Sequence, residues 1–208
     1  MIKIENVEVF GWEAAIRGMR NPMNSWDKSD SDFSFLSPEG IPCIGEADLK
    51  LMKSLSKAGS DHGKFLRMIN VTLDITAPLY WWKEFDTYKV GTVTNSCSTM
   101  HKIHAKEFTL DDFSHEHLDL FNIEHLEELI KVLNSMRDEF LLDKNKHFWW
   151  QMIQLLPSSY NQKRTVQLNY QVLKTMYYAR RNHKLDEWRE FCAWCETLPY
   201  FKEICLNE

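Results

Sequence analysis

No apolar run in this 208-residue sequence approaches the length needed to cross a bilayer, which argues against a membrane-embedded protein. Glycine and proline are scarce, at seven and six residues, so long disordered linkers are not expected. A basic surplus is also missing. The formal charge is -5, against the basic face a general nucleic-acid binder normally presents. A few local lysines or arginines would still hold a small anion. The five cysteines are odd in number and no signal-peptide pattern opens the chain, so they are expected as reduced thiols in a cytoplasmic protein. There is no glycine-rich phosphate loop and no G-x-S-x-G elbow, so a nucleotide would have to be held in some other way.

What is present is an aromatic, core-forming composition: 44% hydrophobic residues, with twelve Phe, eight Trp and seven Tyr. Ile2, Ile4, Val7 and Val9 alternate with polar residues, with a slip at Asn6, and predict a bulged strand. A short helix is expected from Trp12 to Met19. Residues 24 to 45, rich in Ser, Asp, Pro and Gly, read as a long mobile loop. Helical spacing marks residues 46 to 56. Clean alternation of Ile69, Val71, Leu73 and Ile75 marks a strand over residues 67 to 76, ended by Pro78 with a helix from Leu79. Asn122 is placed to cap a helix with the stripe Leu126, Leu129, Ile130, Leu133, Met136 and Phe140. Further helices are expected over residues 146 to 156, 166 to 181 and 184 to 197. Strands early and helices late predict an α+β chain, a small antiparallel or mixed sheet packed with a helical bundle, as one domain over residues 1 to 208.

The stretch from Ala77 to His101 combines paired tryptophans with Asn95, Ser96, Ser98 and His101. It reads either as the wall of a polar pocket or as a buried aromatic helix followed by a solvated loop. Cys192 and Cys195 have C-x-x-C spacing, but they lie within a helical pattern without a second cysteine pair, so packing rather than metal is expected. His101 and His104, and His115 and His117, lack an accompanying carboxylate-histidine signature and read as surface or capping residues. Asn169 and Arg180, eleven apart on a predicted helix, would lie on one face about 16 Å apart.

Residues 60 to 200 resemble the flavin-dependent thymidylate synthases. The resemblance rests on His62, Phe65 and Leu66, on Asn95-Ser-Cys-Ser98, on Leu156-Pro157, on Asn169-Tyr-Gln-Val-Leu, on Arg180 and on Leu185-Asp-Glu-Trp-Arg-Glu. It implies a flavoprotein that methylates deoxyuridylate with methylenetetrahydrofolate, FAD relaying hydride from NADPH, and a homotetramer with sites between subunits. By that resemblance Ser98 and Arg180 would contact the nucleotide substrate. Asn169 and Gln171 would contact flavin, with Lys83, Lys89 and His101 as further phosphate candidates. The sequence departs from the family pattern in several places. The family's Arg-His-Arg has no counterpart, Ser96 stands where Glu is expected, Met100 stands where Arg is expected, and Gln171 replaces an arginine. Lysine does not reproduce the bidentate guanidinium fork. Two alternatives therefore stand beside the enzyme: a relative that binds a nucleotide or other small anion without this chemistry, and a plain interaction domain.

Overall fold

The computed structural model describes residues 2–36 and 41–207. In chain order the elements are β1 (Lys3–Phe10), α1 (Trp12–Arg20), β2 (Asp32–Leu36), β3 (Pro42–Cys43), α2 (Glu46–Lys57), β4 (Asn70–Pro78), α3 (Leu79–Phe85), β5 (Val93–Ser96), α4 (Thr99–Lys102), α5 (Leu120–Asp143), α6 (Lys146–Leu155), β6 (Asn161–Asn169), α7 (Tyr170–Arg180) and α8 (Asp186–Cys195). A π-helical turn, Lys202–Leu206, follows. One sheet has the order β1-β4-β6-β5; β2 and β3 form a separate antiparallel pair. This is the expected α+β class. Among the described residues no helix is long and apolar enough to cross a membrane.

Contacts divide the chain into two compact units. The first holds Ile75–Thr87 and Asn95–Arg164 with the chain's first residues; the second holds Ile4–Asp74, Tyr88–Thr94 and the chain from Thr165 onward. In the first unit α3 follows Pro78, whose fixed φ suits a helix start. It buries Trp81, Trp82 and Phe85, whose rings meet at 5.0 to 5.2 Å. A second cluster joins Phe108 and Phe113 to Leu126, Ile130 and Leu133 of α5 and Met152 of α6. The apolar stripe on α5 therefore falls where its period placed it. Its cap does not: Asp119, not Asn122, is the N-cap, and its side chain accepts the Asn122 amide. Aspartate three residues earlier satisfies the orphan N–H that an asparagine inside the first turn cannot reach.

In the second unit β1 slips at Asn6, as its pattern implied. Asn6 takes φ 52° and its amide reaches Asp74 at 2.9 Å, while Thr72 donates to Glu8 at 3.1 Å. Those two links step in opposite directions along β1 and β4, as antiparallel neighbours do. Strand β4 buries Val71, Leu73, Ile75 and Ala77 in strict alternation. Each Val, Leu or Ile contributes about 1.5–3 kcal/mol of burial.

Two expectations for this unit need correction. The helix expected over residues 166 to 181 begins only at Tyr170, because Val166 and Leu168 face inward on β6. The described part of the loop expected at residues 24 to 45 holds a 3-10 turn, Trp26–Lys28, and the β2–β3 pair, although residues 37 to 40 of that reading lie outside the described residues. Long-range bonds tie it down: Asp30 accepts the Ala47 and Asp48 amides at the start of α2, at 2.8 and 3.0 Å. It caps that helix from a distance.

Candidate functional site

In the second unit β6 runs directly into α7. Asn169 takes an extended backbone and its Oδ1 accepts the Val172 amide at 3.1 Å, making it the N-cap of α7. The amide of Tyr170 donates to the Ile69 carbonyl at 3.0 Å, pinning the turn to the end of the 3-10 segment before β4. The Nδ2 of Asn169 has no hydrogen-bond partner among the described residues. It lies beside Gly91, where an added Cβ would stand 3.2 Å from Nδ2 and 3.1 Å from Val172 Cγ2. Gly91 takes φ 79°, a left-handed conformation that glycine adopts freely. The loop holding Lys89 and Gly91 therefore closes on the start of α7, where the helix dipole favours an anion. Lys89 is exposed on that loop and Gln171 is half-buried in the first turn.

The same loop opens at Tyr88, which reaches the other end of α7. Arg180 Nε donates to Tyr88 Oη at 2.9 Å, and its guanidinium lies 4.9 Å from the Trp188 ring and 5.5 Å from the Tyr88 ring. Residues 88 to 91 thus link the neighbourhoods of Asn169 and Arg180. Arg180 is half-buried and engaged inside the unit.

The remaining site candidates belong to the first unit. Ser98 is the N-cap of α4, its Oγ accepting the His101 amide at 3.1 Å. It lines a cavity of about 90 Å³ with Cys97, Lys102, Tyr160 and Lys163. Burial first, and Asp112 second, raise the Tyr160 phenol above its ordinary value, so it stays a hydrogen-bond donor at neutral pH. His101 is exposed beside it. Lys83 is exposed on α3 and lines an open cleft of about 660 Å³ with Leu79, Tyr80, Glu84 and Leu156. So Ser98, His101 and Lys83 lie in one unit, and Asn169, Gln171, Lys89 and Arg180 in the other.

Arg164 was not singled out by the sequence. Its guanidinium sits 4.2 Å from the Trp82 ring, with Nη1 on Asp86 at 2.8 Å and Nε on the Gln162 side chain at 3.0 Å. Once β6 is read as a strand, alternation with Gln162 would have flagged it. Its neighbour Trp82 donates to the Gln162 carbonyl at 2.9 Å, and the Gln162 amide to the Cys97 carbonyl at 2.8 Å. These bonds hold the backbone just before Ser98.

The C-x-x-C pair is internal packing. Cys192 and Cys195 are buried, and burial pushes the Cys192 thiol up to about 11. Among the described residues no group of three or more His, Cys, Asp or Glu side chains is placed to hold a metal.

No family model matches the chain, and no curated protein does. Solved structures do. A crystal structure of the flavin-dependent thymidylate synthase ThyX from Helicobacter pylori, complexed with FAD and dUMP, matches with a TM-score of 0.68 and 16% identity over 99% of this chain and 98% of that one. Another from the same organism, also with FAD and dUMP, matches with a TM-score of 0.69 and 16% identity over the whole of both chains. The chain has the fold of the flavin-dependent thymidylate synthases.

Proposed function

We propose that this chain binds FAD and a pyrimidine nucleotide, and that it methylates deoxyuridylate with methylenetetrahydrofolate and a reduced nicotinamide cofactor. The observation that carries this reading is the end-to-end likeness to structures that hold FAD and dUMP. The residues present fit the cofactor at one place. The N-terminus of α7, the uncommitted Nδ2 of Asn169, the amide of Gln171 and the exposed Lys89 offer donors and positive potential to flavin oxygens. Flavin, when bound, supplies the hydride relay. The chain's own part is orientation and charge. Asn169 and Gln171 set the ring, Lys89 meets phosphate, and Ser98 and Arg180 address the nucleotide, with Lys83 and His101 as further phosphate donors. A homotetramer would bring such groups together from neighbouring copies.

A second reading has its own support. Arg180 and Arg164 are both engaged inside their units with aromatic rings and polar partners, so neither of these guanidiniums stands idle to grip a phosphate. Each charge-assisted bond lost weakens binding by about 1.5–3 kcal/mol. On this reading the scaffold binds a nucleotide without forming thymidylate.

Protein purified without added flavin tests both. A flavin spectrum that dUMP perturbs, followed by product formation with methylenetetrahydrofolate and NADPH, supports the first reading. Colourless protein that ignores added FAD but binds dUMP supports the second. Protein that takes up neither ends both.

A further inference from the structure

We propose a second ligand site in the second unit, apart from the α7 terminus. It is built on the buried guanidinium of Arg20 and takes a small planar ring carrying an oxyanion, carboxylate or phosphate. The cavity holds about 330 Å³, at the small end of ligand pockets, and its walls include the carboxylate of Glu13 beside Arg17, Arg20, Trp26, Ser29 and Phe33.

Arg20 is 4% exposed, and two of its bonds fix the guanidinium plane. Nε donates to Asp48 at 2.6 Å and Nη1 to the Ser25 carbonyl at 3.1 Å. A guanidinium has five N–H donors. Among the described residues Nη2 has no hydrogen-bond partner, so its N–H donors remain for a ligand oxygen. A ligand oxygen in the cavity would take over from solvent at Nη2.

Asp48 does not compete for the ligand's place. It is fully buried and already accepts from Arg20, the Ser29 and Ser31 hydroxyls and the Asp30 and Ser31 amides. Those bonds hold Asp48 in place as the counter-ion of Arg20, so Arg20 offers a ligand N–H donors rather than a net charge. Arg17 adds a second, exposed cation whose link to Glu13 is loose at 3.9 Å. The ring preference follows from the aromatic members of the same lining. Trp26 is half-exposed, yet its indole N–H is tied to Asn21 at 2.8 Å, which holds its ring in the lining that Phe33 also joins. A held aromatic face and a preset guanidinium lose little freedom on binding.

Calorimetric titration of the intact protein with phenyl phosphate, benzoate and inorganic phosphate decides the matter. The expected result is saturable binding of a ring probe about tenfold tighter than inorganic phosphate, the better of the two ring probes naming the head group. Trp26→Ala should weaken it about fivefold, and Arg20→Lys, which keeps a charge but loses the Nη2 donors, about tenfold. Arg20→Lys is read only if its unfolding midpoint shows a folded protein; otherwise Arg17→Ala and Trp26→Ala carry the test. FAD uptake measured on Trp26→Ala should match the parent, so failure here is distinguishable from failure at α7. Failure of both ring probes to saturate, inorganic phosphate binding as tightly as phenyl phosphate, or affinity unmoved by Trp26→Ala overturns the proposal.

Discussion

Arg180 donates to the hydroxyl of Tyr88 at 2.9 Å, joining the last turn of α7 to the start of the loop that returns to its first turn. The bond makes Arg180 a structural residue whatever it does for a ligand. Tyr88→Phe should lower stability by about 1 kcal/mol, and Arg180→Ala, which also loses stacking on Trp188, by about 1–3 kcal/mol. The double variant should lose less than the sum of the two. Urea unfolding of the four proteins checks this; strict additivity means the contact carries no energy.

Thiol reactivity should divide the five cysteines sharply. Cys43 and Cys97 are exposed, while Cys192, Cys195 and Cys205 are buried. Burial pushes Cys192 up to about 11 and Cys205 up to about 12, so their thiolates are scarce at pH 8. A disulfide reagent should titrate two thiols quickly in native protein and all five after unfolding. Rapid native labelling of Cys192 would contradict the packing assigned to α8.

Most of the fold was legible because its core is periodic. The alternation of β4 and the stripe on α5 each follow one repeat, and each buries the residues that repeat selects. Residues 166 to 169 were misread for a physical reason. Leu168, Val172, Leu173 and Met176 satisfy a helical period, and the strand signal of Val166, Leu168 and Tyr170 shares Leu168 with it. The error matters for the site, since it puts Asn169 inside a helix rather than at its cap. The hairpin region was opaque because its order comes from Asp30 and Asp48, partners distant in sequence that no local pattern announces. The link between Asn169 and Arg180 through residues 88 to 91 was likewise a tertiary fact.

Acid should weaken the fold through Asp48. Burial alone would raise its carboxyl, but bonds from Ser31, Ser29 and Arg20 outweigh it and hold the value below its ordinary 3.8. A depressed folded value means the stabilisation is complete above the unfolded value and lost as pH falls through the folded one. Urea midpoints should therefore be flat near neutrality and fall below about pH 4. Asp48→Asn should cost about 3–5 kcal/mol at pH 7, because Arg20 is left buried without its counter-ion. Its penalty relative to the parent should shrink as pH drops. A penalty independent of pH would assign the loss to packing alone.

Asn169 separates folding from binding more cleanly than any other site residue, because its two side-chain heteroatoms have different tasks. Oδ1 caps α7 by accepting the Val172 amide, and Nδ2 stands uncommitted beside Gly91. Asn169→Ala removes both and should destabilise by about 0.5–2 kcal/mol, the usual loss of a cap. Asn169→Asp keeps an acceptor for Val172 and sets a negative charge at the positive end of the helix, so stability should hold or rise slightly. The same change deletes the amide donor and places a carboxylate where a flavin oxygen would bind. FAD affinity should then drop about tenfold or more, since a charge repels the ligand where a hydrogen bond held it. Equilibrium unfolding and flavin titration on the same samples give the two readouts. If Asn169→Asp folds normally and takes up FAD as the parent does, the start of α7 is not where flavin sits.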